Sequence, residues 1–176
     1  MDAQKPQSEV TDAVHEDDLG GWVEVEVIRD GKHGPEVIAR RRSHNLIVNM
    51  GKRQTWRMTM GLNANEFTKF RIGTCGVAPV SSDTNVISPV GGIGSLTSAN
   101  GAPAKTLLAG TRTAQMIVVY PSGGALTAIS AMNIQEVAVL DSLVSPGGSA
   151  FMRSTFVAVN KTLQDRLQIR YSWRIS

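Results

Sequence analysis

Cysteine is nearly absent from this sequence, and the one present, Cys75, cannot close an internal disulfide. The fold must therefore be held by packing and hydrogen bonds, and it suits a reducing cytoplasm. Histidine is scarce too. His15, His33 and His44 stand in none of the usual ligand spacings, so neither a metal nor a cofactor site is expected. Aromatic residues make up only 5% of the chain, which removes the stacking platform that single-stranded nucleic acid binders need. No stretch approaches the run of about 20 apolar residues required for a membrane helix. The first residues are acidic and polar where a signal peptide would be basic and then apolar, so synthesis in the cytoplasm and no membrane partner are expected.

What is present is enough for a core. Of 176 residues, 41% are apolar and 19% charged, so one compact domain is predicted without the help of metals or disulfides. The net charge of +3 is unevenly spread. Residues 1 to 19 hold six acids (Asp2, Glu9, Asp12, Glu16, Asp17, Asp18) against Lys5, a local charge of −5 that leaves +8 on the rest. The sequence thus divides into an acidic N-terminal arm, 1–19, and a basic body, 20–176. The arm has too little apolar surface to offset its own ordering entropy.

Within the body, Val23, Val25 and Val27 alternate with Glu24, Glu26 and Ile28, the pattern of a half-buried strand. The punctuation from Asp30 to Pro35 predicts a turn, with a second strand from Glu36 to Arg42. Asn49 is in position to cap a helix from Gly51 to Met60, closed by Gly61, with Met50, Trp56, Met58 and Met60 as an imperfect apolar stripe. Short apolar runs follow at strand-like spacing: 67–73, 107–113, 115–120, 126–132, 134–140, 151–159 and 167–175. Eight or nine strands and one helix indicate an all-β, antiparallel β-sandwich, jelly-roll-like in its best single reading. The Gly- and Ser-rich stretch 90–103 reads as a flexible excursion or an interaction loop.

The search for chemistry returns no constellation. Gly91-Gly92-Ile93-Gly94 lacks the lysine and Ser/Thr of a phosphate loop. Cys75 sits in a turn-like Gly73-Thr74-Cys75-Gly76, and a free cysteine in such a setting is read as a small packing residue. Glu136, inside an apolar strand, is costly to bury alone, so it is expected to accept hydrogen bonds from backbone amides or an arginine. Arg40, Arg41, Arg42, Lys52, Arg53 and Arg57 crowd into residues 40–57 and suggest a cationic patch. With no recognition motif, nucleic acid is an improbable partner for it. The acidic arm either folds back on its own domain or meets the basic body of a neighbouring copy; the second explains both charged regions together and makes Asp12, Glu16, Asp17, Asp18, Arg40, Arg41 and Arg42 the candidate subunit contacts.

The order of segments resembles the small structural virion proteins of tailed bacteriophages. The resembling stretches are His44 to Gly51 before the helix; Phe70-Arg71-Ile72-Gly73-Thr74 followed by Ala78-Pro79 and Ser82-Asp83-Thr84; Ile134 to Leu140; Gly147 to Phe156; and Asp165 to Trp173. Such proteins carry "Asn-Leu-Ile-x-Asn-x-Gly", a "Gly-Thr-Gly" turn leading to "Asp-Thr", and "Ile-x-Glu-x-Gly-Leu" before "Gly-Gly-x-hydrophobic-x-Arg". Here Cys75 replaces the second turn glycine and Ala138 the strand glycine. The resemblance implies a structural, non-enzymatic component of the virion and leaves its position in the particle open; within that class a small enzyme-free domain with an arm favours a capsid decoration (cement) protein that joins major capsid protein subunits, working as a homo-oligomer with a trimer favoured. A neck, tail or baseplate protein is the alternative, and a small β-sandwich lectin or enzyme the more distant one.

Overall fold

A computed structural model describes residues 21–62, 67, 69–90, 104–107, 113–120, 122, 131–141 and 150–174, with backbone alone for 104–107, 131 and 174. In chain order the elements are β1 (Gly21–Gly31), β2 (Gly34–His44), β3 (Leu46–Ile47), α1 (Asn49–Thr59), β4 (Lys69–Gly73), β5 (Ala104–Leu107), β6 (Thr113–Tyr120), β7 (Ala131–Leu140), β8 (Ala150–Thr162) and β9 (Asp165–Arg174). They form an antiparallel β-sandwich: a five-stranded sheet ordered β2-β1-β9-β6-β5 lies against a four-stranded sheet ordered β3-β8-β7-β4. Strand partners are nested, β1 with β9, β3 with β8, β4 with β7 and β5 with β6, as in a long hairpin rolled up on itself. This is the antiparallel β-sandwich that the strand count suggested.

Period-2 patterning explains the core. Across the middle of the five-stranded sheet the register aligns Val23 with Tyr171 and Met116, Val25 with Ile169 and Val118, and Val27 with Leu167 and Tyr120. All nine are buried. Facing them from the four-stranded sheet are Phe70, Ile72, Ile134, Val137, Val139, Met152 and Phe156. Each such side chain contributes roughly 1.5–3 kcal/mol by leaving water. Two tyrosines also bridge the sheets: Tyr171 donates its hydroxyl to the Val137 carbonyl (3.1 Å) and Tyr120 to that of Phe70 (3.2 Å). Burial pushes both phenol pKa values up, so each hydroxyl keeps the proton it donates.

The first hairpin is tighter than the punctuation suggested. Asp30 and Gly31 already pair with Pro35 and Gly34, leaving Lys32 and His33 as a two-residue turn, with Gly34 at positive φ. The helix also departs from expectation at its start. Asn49 is its first residue, not its cap; Val48 holds the cap position and supplies no side-chain bond, while the Asn49 amide donates to the Ser81 carbonyl (2.8 Å). Its end is as predicted. Gly61 adopts φ +67°, and the amides of Gly61 and Leu62 donate to the Met58 and Arg57 carbonyls in a Schellman motif.

The predicted apolar stripe of α1 is only partly used. Gly51 and Gln54 are buried and Met50 packs on the sheet, whereas Trp56, Met58 and Met60 are exposed. A Cβ on residue 51 would overlap the Phe151 carbonyl, so glycine is what lets the helix lie directly on β8. Among the described residues no helix is long and apolar enough to cross a membrane. The candidate contacts Asp12, Glu16, Asp17 and Asp18, the 91–103 part of the long loop and most of the 126–132 run lie outside the described residues.

Candidate functional site

The two sheets treat their outer faces differently. On the five-stranded sheet, strand alternation turns Glu24 and Glu26 of β1 outward, opposite Arg42 and Arg40 of β2 and Arg170 and Gln168 of β9. Arg40 pairs with Glu26, Arg170 pairs with Glu24, and Gln168 donates to Glu26 (2.9 Å). The Arg42 guanidinium lies 4.9 Å from the centre of the Trp22 ring, in cation–π range. Arg41 points the other way, opposite Val25 on the inner face at the sheet edge. The three consecutive arginines are therefore not one patch. A strand places neighbours on opposite faces, and the two outward guanidiniums already have partners within the body.

The four-stranded sheet has no solvent-facing side of that kind. Its outer face is covered by α1 and by the irregular segment 74–90, with Val48, Val86, Ala138, Leu140 and Ala150 as a second small core. At its centre lies a buried ion cluster. Glu136 of β7 and Arg153 of β8 are both 0% exposed. Arg153 donates Nε (3.0 Å) and Nη2 (2.7 Å) to Glu136 Oε2, Nη1 to Asp83 Oδ2 (2.8 Å) and Nη2 to the Val77 carbonyl (3.0 Å). Glu136 Oε1 accepts the amides of Ser88 (2.8 Å) and Cys75 (3.4 Å), and Oε2 that of Ile87 (3.0 Å). Asp83 in turn accepts the Val80 amide (2.9 Å). Burial works against the charge of Arg153, but the hydrogen bonds it donates to Glu136 and Asp83 outweigh it and hold its pKa above the ordinary value.

The cluster is a clamp. It satisfies backbone groups at 75, 77, 80, 87 and 88 of a segment that has no ladder of its own, and so fixes that segment to the sheet. Further bonds complete the attachment: Thr74 amide to Ser88 carbonyl, Val90 to Ile72 and Ala150 to Thr84. Gly73 is part of the design, because a Cβ there would overlap the Glu136 carboxylate. The expectation for Glu136, amides or an arginine, is met by both at once. Its partner could have been read as well, since Arg153 is the lone charge of the apolar run 151–159, as Glu136 is of the run 134–140. Asp83 could not, because its place depends on the path of an irregular segment.

Both Glu136 oxygens are engaged and shielded from solvent, so the carboxylate holds the segment in place. Cys75 contributes its amide to the cluster and is half-buried. Among the described residues no group of three or more His, Cys, Asp or Glu is placed to hold a metal ion.

Above the clamp the fixed segment exposes apolar residues among polar ones such as Ser81, Ser82 and Ser88. Val77, Val80 and Ile87 of the fixed segment are each more than half exposed. Compared with protein-family models, curated proteins and solved structures, the chain matches none of them.

Proposed function

We propose that this protein is a structural, non-enzymatic component of a tailed-phage virion, acting as a decoration protein that binds the assembled capsid. One observation carries the reading. The scattered words of the resemblance, Gly51, Gly73, the Asp83-Thr84 pair, Glu136 and Arg153, come together on one face of one sheet, four of them in the ion clamp and Gly51 and Thr84 bonded or packed beside it. Residues this far apart in sequence that serve one structural device support the likeness as a whole, because chance matches would scatter through the fold. The device itself suits an assembly role. It spends a buried charge network on holding an irregular segment rigid, and a rigid, apolar-tipped segment binds a neighbour without the entropy cost of ordering it. Val77, Val80 and Ile87 make an exposed apolar surface of the kind that marks protein interfaces.

The test has two arms. Gold-labelled antibody against the chain is expected to decorate capsid shells in electron micrographs of the particles. Label at the neck or tail would favour the alternative position, and unlabelled particles would sink the virion reading. In the second arm, Val80→Asp with Ile87→Asp should abolish binding to particles lacking the protein while leaving the fold intact. Undiminished occupancy would remove the 74–90 surface from the interface.

A further inference from the structure

Helix α1 presents a second exposed apolar surface, separate from the clamp, formed by Trp56 (65% exposed), Met58, Met60 (68%) and Leu62. Beside it stand Lys52 and Arg53, both exposed and without an ion pair among the described residues, and the helix contains no acid at all. Trp56 and Met60, one turn apart on the side of the helix that carries Lys52, form an apolar pair beside a cation that is unusual to leave in water.

We infer that the occupant of this surface is the acidic N-terminal segment of the same chain. Charge is the first argument. The segment carries −5, and the arginines first considered as its partner, Arg40 and Arg42, are engaged by Glu26 and Trp22, whereas Lys52 and Arg53 have no ion pair among the described residues. Position is the second. The segment joins the body at Gly21, whose carbonyl accepts the amide of Asn45 (3.1 Å), only four residues before α1 begins. Asn45 in turn is at most about 14 Å from the start of the helix along the chain.

Chain length is the third argument, since Glu16, Asp17 and Asp18 stand within about 10–17 Å of extended chain from Gly21. Tethering to Gly21 also gives this contact the high effective concentration of an intramolecular one.

Hydroxyl-radical footprinting of the intact chain tests this, with oxidation of Trp56, Met58 and Met60 as the readout and the buried Met116 and Met152 as controls for folding. The three helix residues should react slowly in the native chain. Glu16→Lys with Asp17→Lys and Asp18→Lys should raise their oxidation severalfold, and adding Lys52→Glu with Arg53→Glu should restore protection. Equal oxidation in the native and triple variants, with Met116 and Met152 protected in both, would overturn the assignment. Protection that disappears on dilution would overturn it as well, by showing that a second copy supplies the segment. Because the footprint is read on the isolated protein, its outcome is independent of where the protein sits in a particle.

Discussion

Arginine–carboxylate pairs occur on the outer faces of both sheets, and they do different work on each. On the five-stranded sheet, Arg170–Glu24 and Arg166–Asp30 lie in partial contact with solvent, where water competes for the charges and each pair contributes little. On the four-stranded sheet, Arg153–Glu136 is fully covered, and its partners include the main chain of the segment above it. The difference lies in what each pair would leave behind. An exposed charge that loses its partner is rehydrated, whereas a buried one is stranded together with every amide it served.

The clamp therefore provides the largest expected effect. Arg153→Met should cost about 3–5 kcal/mol in urea denaturation, because Glu136 and Asp83 remain without their cation. A simple buried ion pair often tolerates replacement of both partners by apolar residues, so Arg153→Met with Glu136→Met separates the two possibilities. If the clamp reading holds, the double variant is no more stable than the single one, since the amides of Cys75, Ile87 and Ser88 lose their acceptor, and hydrogen exchange at those three amides accelerates in both. Recovery of stability in the double variant, with those amides still protected, would reduce the cluster to an ordinary ion pair.

Between the extremes stands Asp165, at the start of β9. Burial opposes its charged form, but the Arg29 guanidinium and the side chain and amide of Thr162 hold its carboxyl below the usual carboxylate range. A carboxyl depressed in the folded state contributes stability that is complete above its unfolded pKa, about 3.9, and is lost as pH falls through that value toward the folded one. Asp165→Asn should lower the urea midpoint at pH 7 and flatten its decline between about pH 5 and pH 3. An acid decline as steep as that of the native chain would place the titrating groups elsewhere.

How much of this was legible beforehand follows from where period-2 patterning operates. The triplets Val23-Val25-Val27 and Leu167-Ile169-Tyr171 declared their strands and their buried face, because that sheet has one side in water. β8 did not alternate in the same way, since Ala150 to Ser154 are buried on both sides, and the reason, a helix and a segment folded over the outer face, is long-range. The same limit applied to charge. Counting Arg40, Arg41 and Arg42 together ignored that a strand sends them to opposite faces, while Glu136 stood out because an acid inside an apolar strand must find a partner. The helix was placed to within two residues by Gly61, yet its buried side was misjudged, because close packing on Phe151 selected Gly51 over the larger apolar residues.

The smallest effect is expected at Arg170 and Glu24, and it tests the other side of the comparison. The two side chains retain 32% and 20% of their exposure, so their attraction acts through a largely aqueous medium and is offset by the entropy of holding two long side chains in place. A double-mutant cycle with Arg170→Ala and Glu24→Ala should give a coupling of about 0.2–1 kcal/mol at low salt. At 1 M salt the screening length shrinks to about 3 Å, comparable to the separation of the charges, and the coupling should fall toward zero. The buried pair responds differently, because ions cannot enter the space around Arg153, so the cost of Arg153→Met should change little over the same range. A coupling at Arg170–Glu24 of several kcal/mol, unmoved by salt, would show that the open face is held by its charges as firmly as the covered one, and that burial is not what separates the two sheets.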